Sequence, residues 1–216
     1  MKSLLKKLML NQRLEFDKYA LHYLRNKKHI LDIGCGEGRF LAKLGARGQG
    51  IDHNPKSVQI CKEKGLNAKQ ENILYGLSFS DESFDGVIVN HVIEHLFPQD
   101  AHKLLKEANR ILKKDGILII SSPLMYDGFF NDFTHIKPYP PRAILHYMGS
   151  FKQRTLDDIE GSYSVIKTIF RYRFIRPLKV DNILKKFIYI LCSIAYRIGI
   201  RNKKKTGYML MLQKLR

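Results

Sequence analysis

The sequence predicts an α/β fold, a doubly wound and mostly parallel sheet with helices on both faces. Apolar, strand-like runs alternate with amphipathic helix patterns from residue 29 to residue 121. Such alternation buries a parallel sheet on both sides. A glycine turn, Gly34-x-Gly36-x-Gly38, follows the first apolar run, and a helix pattern follows the turn. A carboxylate, Asp52, ends the second run about 20 residues on, the offset at which α/β nucleotide sites grip ribose hydroxyls.

The elements follow in order. Leu14, Tyr19, Leu21 and Leu24 carry helical spacing, so 13–26 reads as a helix capping the fold. Alternating runs then place strands at 29–33, 48–52, 66–70, 84–90 and 116–121. Helices fit 37–45, 55–64 and 98–113; the last begins near Pro98 and ends in Lys113, Lys114 and then Gly116. Pro138, Pro140 and Pro141 break the chain, and 141–149 reads as a short helix. Strands at 151–156 and 206–215 bring the sheet to seven. Residues 157–205 read as an insertion before the last strand, too short and too basic to hold its own core. One domain is expected over 1–216, with 1–27 as a helical cap.

The 216 residues are 44% hydrophobic and 27% charged, which reads as globular. The formal charge is +18, and residues 152–216 hold 16 Lys/Arg against 4 Asp/Glu, or +12 of it. Such a field attracts anionic lipid, nucleic acid or anionic substrates. Cys35, Cys61 and Cys192 are odd in number and far apart, so a reducing, cytoplasmic compartment is expected. The first ten residues are basic and amphipathic, with apolar stretches too short for a signal sequence.

The glycine spacing selects the ligand. Dinucleotide sites read G-x-G-x-x-G, with a helix N-terminus aimed at the pyrophosphate. Here Glu37 stands where phosphate would approach, and like charges repel. The ligand is therefore a nucleoside without pyrophosphate. The segment Ile30 to Phe40 resembles the first motif of class I S-adenosylmethionine (SAM) methyltransferases, whose ligand is a sulfonium nucleoside. Leu77-Ser-Phe-Ser-Asp-Glu-Ser-Phe-Asp85 resembles that family's L-P-F-x-D-x-S-F-D run, with Ser78 in place of proline. His91-Val-Ile-Glu-His-Leu96 is similar to its H-V-L-E-H-L, and Lys113 to Ile120 to its L-K-P-G-G-x-L-x-I. Thr134-His-Ile-Lys-Pro-Tyr139 is similar to its T-H-V-R-P-Y.

The resemblance implies a Rossmann-like fold, SAM as cofactor and a set of roles. Backbone at Gly34, Cys35 and Gly36 would pack on the amino-acid part of SAM, the Cys35 side chain being a small apolar filler. Asp32 would accept from the ammonium or hold the loop in shape. Asp52 would accept from both ribose hydroxyls, a use suited to a two-oxygen acceptor. His53 would lie beside the adenine, and Glu71 or Asn72 would meet its amino group where the family carries an Asp. Asn90, closing the fourth strand, joins the cofactor set.

His91, Glu94 and His95 are spaced to share one face of a helical turn at the sheet's carboxyl edge. Three readings stay open. They form a structural cluster; or His91 or His135 is a general base; or His91, Glu94, His95 and His135 hold a divalent metal. Ubiquinone-pathway O-methyltransferases and small-RNA 2′-O-methyltransferases are similar here and place a metal at E-x-x-E-H plus a distal His; this chain has His91 at the first Glu. Imidazoles with one carboxylate suit Zn, Mn or Fe better than Mg. The residues also read H-x-x-E-H, a metallopeptidase signature that needs both histidines in mid-helix.

In 183–200, the ten residues from Phe187 to Tyr196 are uncharged, about half of what a spanning helix needs. Lys185, Lys186, Arg197, Arg201 and Lys203 to Lys205 flank them. This pattern suits peripheral membrane contact or packing on the sheet, and the family resemblance implies a lid over the substrate. Nucleic acid competes as a partner, because Tyr163, Phe170, Tyr172 and Phe174 interleave with Lys167, Arg171 and Arg173. The expected function is methyl transfer from SAM to a hydroxyl of a small or lipid-like, membrane-associated acceptor. RNA methylation and a non-catalytic SAM-binding scaffold are the alternatives. Nothing in the sequence sets the oligomeric state.

Overall fold

The computed structural model describes residues 12–150, 162–172, 182–198, 200 and 204–215. Its strands are β1 (Ile30–Ile33), β2 (Gly48–Asp52), β3 (Ala68–Gln70), β4 (Phe84–Asn90), β5 (Leu112–Pro123), β6 (Tyr163–Tyr172) and β7 (Lys205–Lys214). They form one sheet in the order β3-β2-β1-β4-β5-β7-β6. The first five are parallel, and β7 runs antiparallel between β5 and β6. β1 pairs with both β2 and β4, so the winding reverses beside it. Ligands bind at the carboxyl ends of strands at such a reversal.

Both faces of the sheet are apolar, as the alternation predicts. Ile117 and Ile119 of β5 and Met209 and Met211 of β7 point to one side, with Ile30 and Ile88. There they meet Ala20 of α1 (Gln12–Tyr23), Leu41 and Leu44 of α2 (Leu41–Leu44), and Val58 and Cys61 of α3 (Pro55–Glu63). Leu118, Ile120, Tyr208, Leu210 and Leu212 point to the other side. That side is covered by α4 (Pro98–Ile111), which buries Ala101, Leu104, Leu105, Ala108 and Ile111 at helical spacing. The short α5 (Pro141–Leu145) adds Ile144 to the same cluster.

Two expectations are corrected. The helix expected over 37–45 is only α2, followed by a 3₁₀ turn at Gly45–Arg47. Gly34, Gly36 and Gly38 all have positive φ (71°, 53° and 80°), so right-handed helix cannot begin until they are passed. The second correction concerns 157–205, read as an insertion between strands. It supplies the edge strand β6, and the sixth strand is Tyr163–Tyr172. The strand expected at 151–156 lies outside the described residues, as do residues 1–11 of the 1–27 cap, whose remainder carries α1. β6 is rich in β-branched and aromatic residues, but a register shift between Val165 and Lys167 blurs its alternation. A helix, α6 (Ile183–Arg197), follows it. No helix among the described residues is long and apolar enough to cross a membrane.

Candidate active site

The glycine turn closes on two neighbouring strands. A Cβ at Gly34 would meet Val92 Cγ2 at 2.3 Å, so only glycine lets the turn lie against the chain leaving β4. The Gly34 and Cys35 N–H groups donate to Ile51 O at 2.8 and 3.0 Å, folding the turn back on β2. At the end of β2, Asp52 Oδ2 accepts the Gly36 N–H at 2.8 Å and Oδ1 accepts the Asn54 N–H at 2.9 Å. Each carboxylate oxygen keeps a further lone pair.

The loop after β3 is built beside it. The Glu71 N–H donates to Asp52 O at 3.1 Å. Ser78 donates its N–H to the Glu71 carboxylate at 3.2 Å, and its hydroxyl donates to the same group. The proline of the family pattern has neither an N–H nor a hydroxyl to give, so it could not make either of these bonds to Glu71. Asn72 Oδ1 accepts the Leu74 N–H at 3.0 Å and caps the 3₁₀ turn Ile73–Tyr75, leaving its amide protons as donors.

The far side of the site leaves β4 at Asn90, whose Oδ1 accepts from Ser121 Oγ at 2.6 Å. His91 follows with φ of 55°, a left-handed backbone that costs a bulky residue energy. Its N–H donates to Ser121 O at 2.9 Å. A 3₁₀ turn, Ile93–His95, comes next. The histidines therefore do not share the helical turn their spacing predicts, and the mid-helix geometry of the peptidase signature is absent here. His91 Nδ1 instead meets Glu94 Oε1 at 3.0 Å. A carboxylate partner holds the proton on Nδ1 and leaves Nε2 as the basic nitrogen. Glu94 is fully buried, and its Oε2 has no hydrogen-bond partner among the described residues.

His95 Nδ1 lies 2.9 Å from Thr134 Oγ1 and 3.2 Å from Thr134 O. His135 Nδ1 donates to Phe129 O at 2.7 Å. Its ring sits between those of Phe129 and His95, with centroids 4.6 and 4.9 Å away. Glu94, His95 and His135 bring one donor atom each to within 4.8 Å of one another. His91 stands outside that group of three. The Thr134–Tyr139 segment is clamped over the sheet edge, because Tyr139 OH donates to Leu96 O at 2.9 Å and Tyr208 OH donates to Tyr139 O at 2.5 Å.

One cavity of about 540 Å³ joins these parts, within the ordinary range for a small-molecule site. Gly34, Asp52, His53, Glu71, Asn72, His91 and His95 line it. Asp32, Cys35, Gly36, Asn90, Glu94 and His135 are not among the lining residues. Leu74, Val92, Leu96 and Thr134 also line it; none had a chemical role assigned from the sequence, although Val92, Leu96 and Thr134 adjoin His91, His95 and His135. Burial pushes the Asp32 carboxyl up to about 7, against the opposing pull of Arg39. Burial likewise pushes the Cys35 thiol up, which makes it a filler and not a nucleophile.

The fold, the glycine turn and Asp52 define a nucleoside-binding α/β domain, and comparison with known proteins agrees. A family model described as a methyltransferase domain matches residues 31–120. The chain belongs to the class I SAM-dependent methyltransferases. An uncharacterised protein of Methanocaldococcus jannaschii, MJ0638, is 31% identical over 170 residues, or 73% of this chain and 69% of that one. A ubiquinone biosynthesis O-methyltransferase of Pelagibacter ubique is 30% identical over 109 residues, covering 46% and 43%. A ribosomal protein L11 methyltransferase of Thermosipho africanus is 35% identical over 114 residues, covering 48% and 41%. The match thus spans less than half the length of these last two relatives. The crystal structure of a SAM-dependent methyltransferase from Archaeoglobus fulgidus superposes with a TM-score of 0.65, at 23% identity over 99% of each chain.

Proposed function

We propose that this chain transfers the methyl group of SAM to a hydroxyl oxygen of a small or lipid-like acceptor. The observation that carries this reading is a single cavity lined both by Asp52 and Glu71 and by His91. The residues present fit the cofactor. The free lone pairs of Asp52 match two vicinal ribose hydroxyls, and Glu71, pinned by Ser78, offers acceptors for an adenine amino group. Gly34 lets backbone come close to the ligand. Asp32 does not line the cavity, which favours its loop-holding role over contact with the ammonium.

When bound, SAM supplies a methyl carbon activated by its sulfonium. The chain's part is to hold the acceptor about 3 Å from that carbon and to take its proton. His91 Nε2 is the base this geometry offers, and Glu94 stabilises the imidazolium that forms. A second reading is favoured by the grouping of Glu94, His95 and His135. Both histidines have Nδ1 engaged, which leaves Nε2, and Glu94 Oε2 is without a partner among the described residues. These three would hold a divalent metal that acidifies the acceptor hydroxyl.

The relatives' names point to both small-molecule and protein acceptors. RNA is less well supported by the packing of β6. Lys167 Nζ lies 5.5 Å from the Tyr19 ring, Lys205 Nζ lies 3.8 Å from the Phe170 ring, and Arg171 donates to Thr206 O. Those cations and aromatics engage the chain itself.

Labelled methyl transfer into cell extract, separated into lipid, RNA and small molecules, tests the acceptor class. Label in RNA alone contradicts the proposal. His91→Gln is expected to lower turnover about a hundredfold while SAM affinity holds. A chelator leaves the rate unchanged if His91 works alone. Loss of turnover, with zinc or manganese found in the purified protein, favours the metal reading.

A further inference from the structure

The outward face of α6 has no use in the site just described. Ile183, Leu184, Phe187, Ile188, Leu191 and Ile194 are each between 41% and 78% exposed. At about 100° per residue they fall within an arc of about 140°. The opposite side carries Tyr189, Ser193 and Tyr196, all buried. α6 is therefore held by one side and presents a continuous apolar stripe on the other. Single exposed apolar residues are ordinary; a contiguous stripe of six marks an interaction surface.

Its place in the fold is informative. The Tyr172 N–H donates to Tyr196 OH at 3.2 Å, which ties α6 to the end of β6. Tyr172 pairs with Lys205, and Gly207 pairs with Pro123 at the end of β5. That is the carboxyl edge, where β1 and β4 run out into the cavity. Lys204, just before β7, forms an ion pair with Asp127. The segment holding Asp127 also carries the exposed rings of Phe130 and Phe133, and Phe133 adjoins the cavity-lining Thr134.

Charge identifies the occupant. Residues 182–205 contain seven Lys/Arg and no Asp/Glu; Lys204 pairs with Asp127 and Lys205 lies over Phe170, and the other five stand in a stretch without a carboxylate. A second copy would bring the same basic rim against itself, which like charges oppose. A nucleic acid would match the charge but leave the apolar arc in water. An anionic lipid surface satisfies both, taking apolar side chains below its headgroups and cations among its phosphates.

We infer that α6 docks this protein by its carboxyl edge on an anionic membrane surface, so that the cavity faces acceptors borne in that surface. The docking stands by itself; the acceptor clause rests on the methyl-transfer reading.

Flotation of the full chain with vesicles of phosphatidylcholine, with and without phosphatidylglycerol, tests it. The chain is expected to float with the anionic vesicles, less so as salt is added, and not with the neutral ones. Phe187→Asp combined with Leu191→Asp is expected to lower vesicle partition at least about tenfold. Both positions face solvent, so circular dichroism and calorimetric SAM affinity should match the parent. Equal flotation of parent and variant, or no flotation of the parent, overturns the inference. So does a dimer that the variant dissolves, or an oligonucleotide that binds the parent when vesicles do not. Vesicle binding without SAM binding supports docking and overturns methyl transfer.

Discussion

Asp32 and Asp52 lie on neighbouring parallel strands, yet their environments set them apart. Asp52 gives both oxygens to backbone N–H groups and still faces the cavity. Asp32 is 2% exposed, and burial lifts its carboxyl from 3.8 to about 7. The consequence for stability is the reverse of the usual carboxylate case. Below about pH 4 both folded and unfolded chains hold the proton, so nothing changes. Between about pH 4 and 7 the unfolded chain has released a proton that the folded chain keeps, so stability falls as pH rises. Above pH 7 the penalty is complete, on the order of 4 kcal/mol for a rise from 3.8 to about 7. Asp32→Asn removes the titration. Its urea midpoint relative to the parent is expected to climb from pH 4 to pH 7 and then level; a difference independent of pH contradicts the assignment.

Among the elements, α4 shows how patterning becomes structure. Its apolar positions recur at three and four residues, and all pack on one face of the sheet. Leu104→Ala removes a fully buried side chain there and is expected to cost about 2–5 kcal/mol by urea denaturation. A loss below about 1 kcal/mol would mean that the helix is not packed as described. Such elements are legible because local spacing and burial agree. The glycine turn is legible because only glycine tolerates its backbone, and Asp52 because it ends a strand. Three things were not legible. α2 is shortened by backbone angles that periodicity does not encode. β6 lies at an edge, half-buried on both sides, where alternation fades. Spacing alone puts the histidine cluster on an α-helical template, but the left-handed His91 and a 3₁₀ turn rearrange it. The Ser78 and Glu71 pair was visible only as a departure from the family's proline.

For the molecule as a whole, the carboxyl edge gathers what the chain holds in separate stretches. The glycine turn, the loop after β3, the His91 segment and the Thr134 segment come from four regions and line one cavity. The basic excess lies in the last third, which supplies α6 at that same edge. Fold, cofactor site and docking face thus follow from one sheet whose winding reverses beside β1. The central claim is that this reversal holds SAM through Asp52. Calorimetric titration of SAM into the purified chain and into Asp52→Ala tests it most directly. One molecule is expected to bind per parent chain, with affinity at least about tenfold weaker in the variant, or about 1.4 kcal/mol. No binding by the parent, or equal binding by the two proteins, would contradict it.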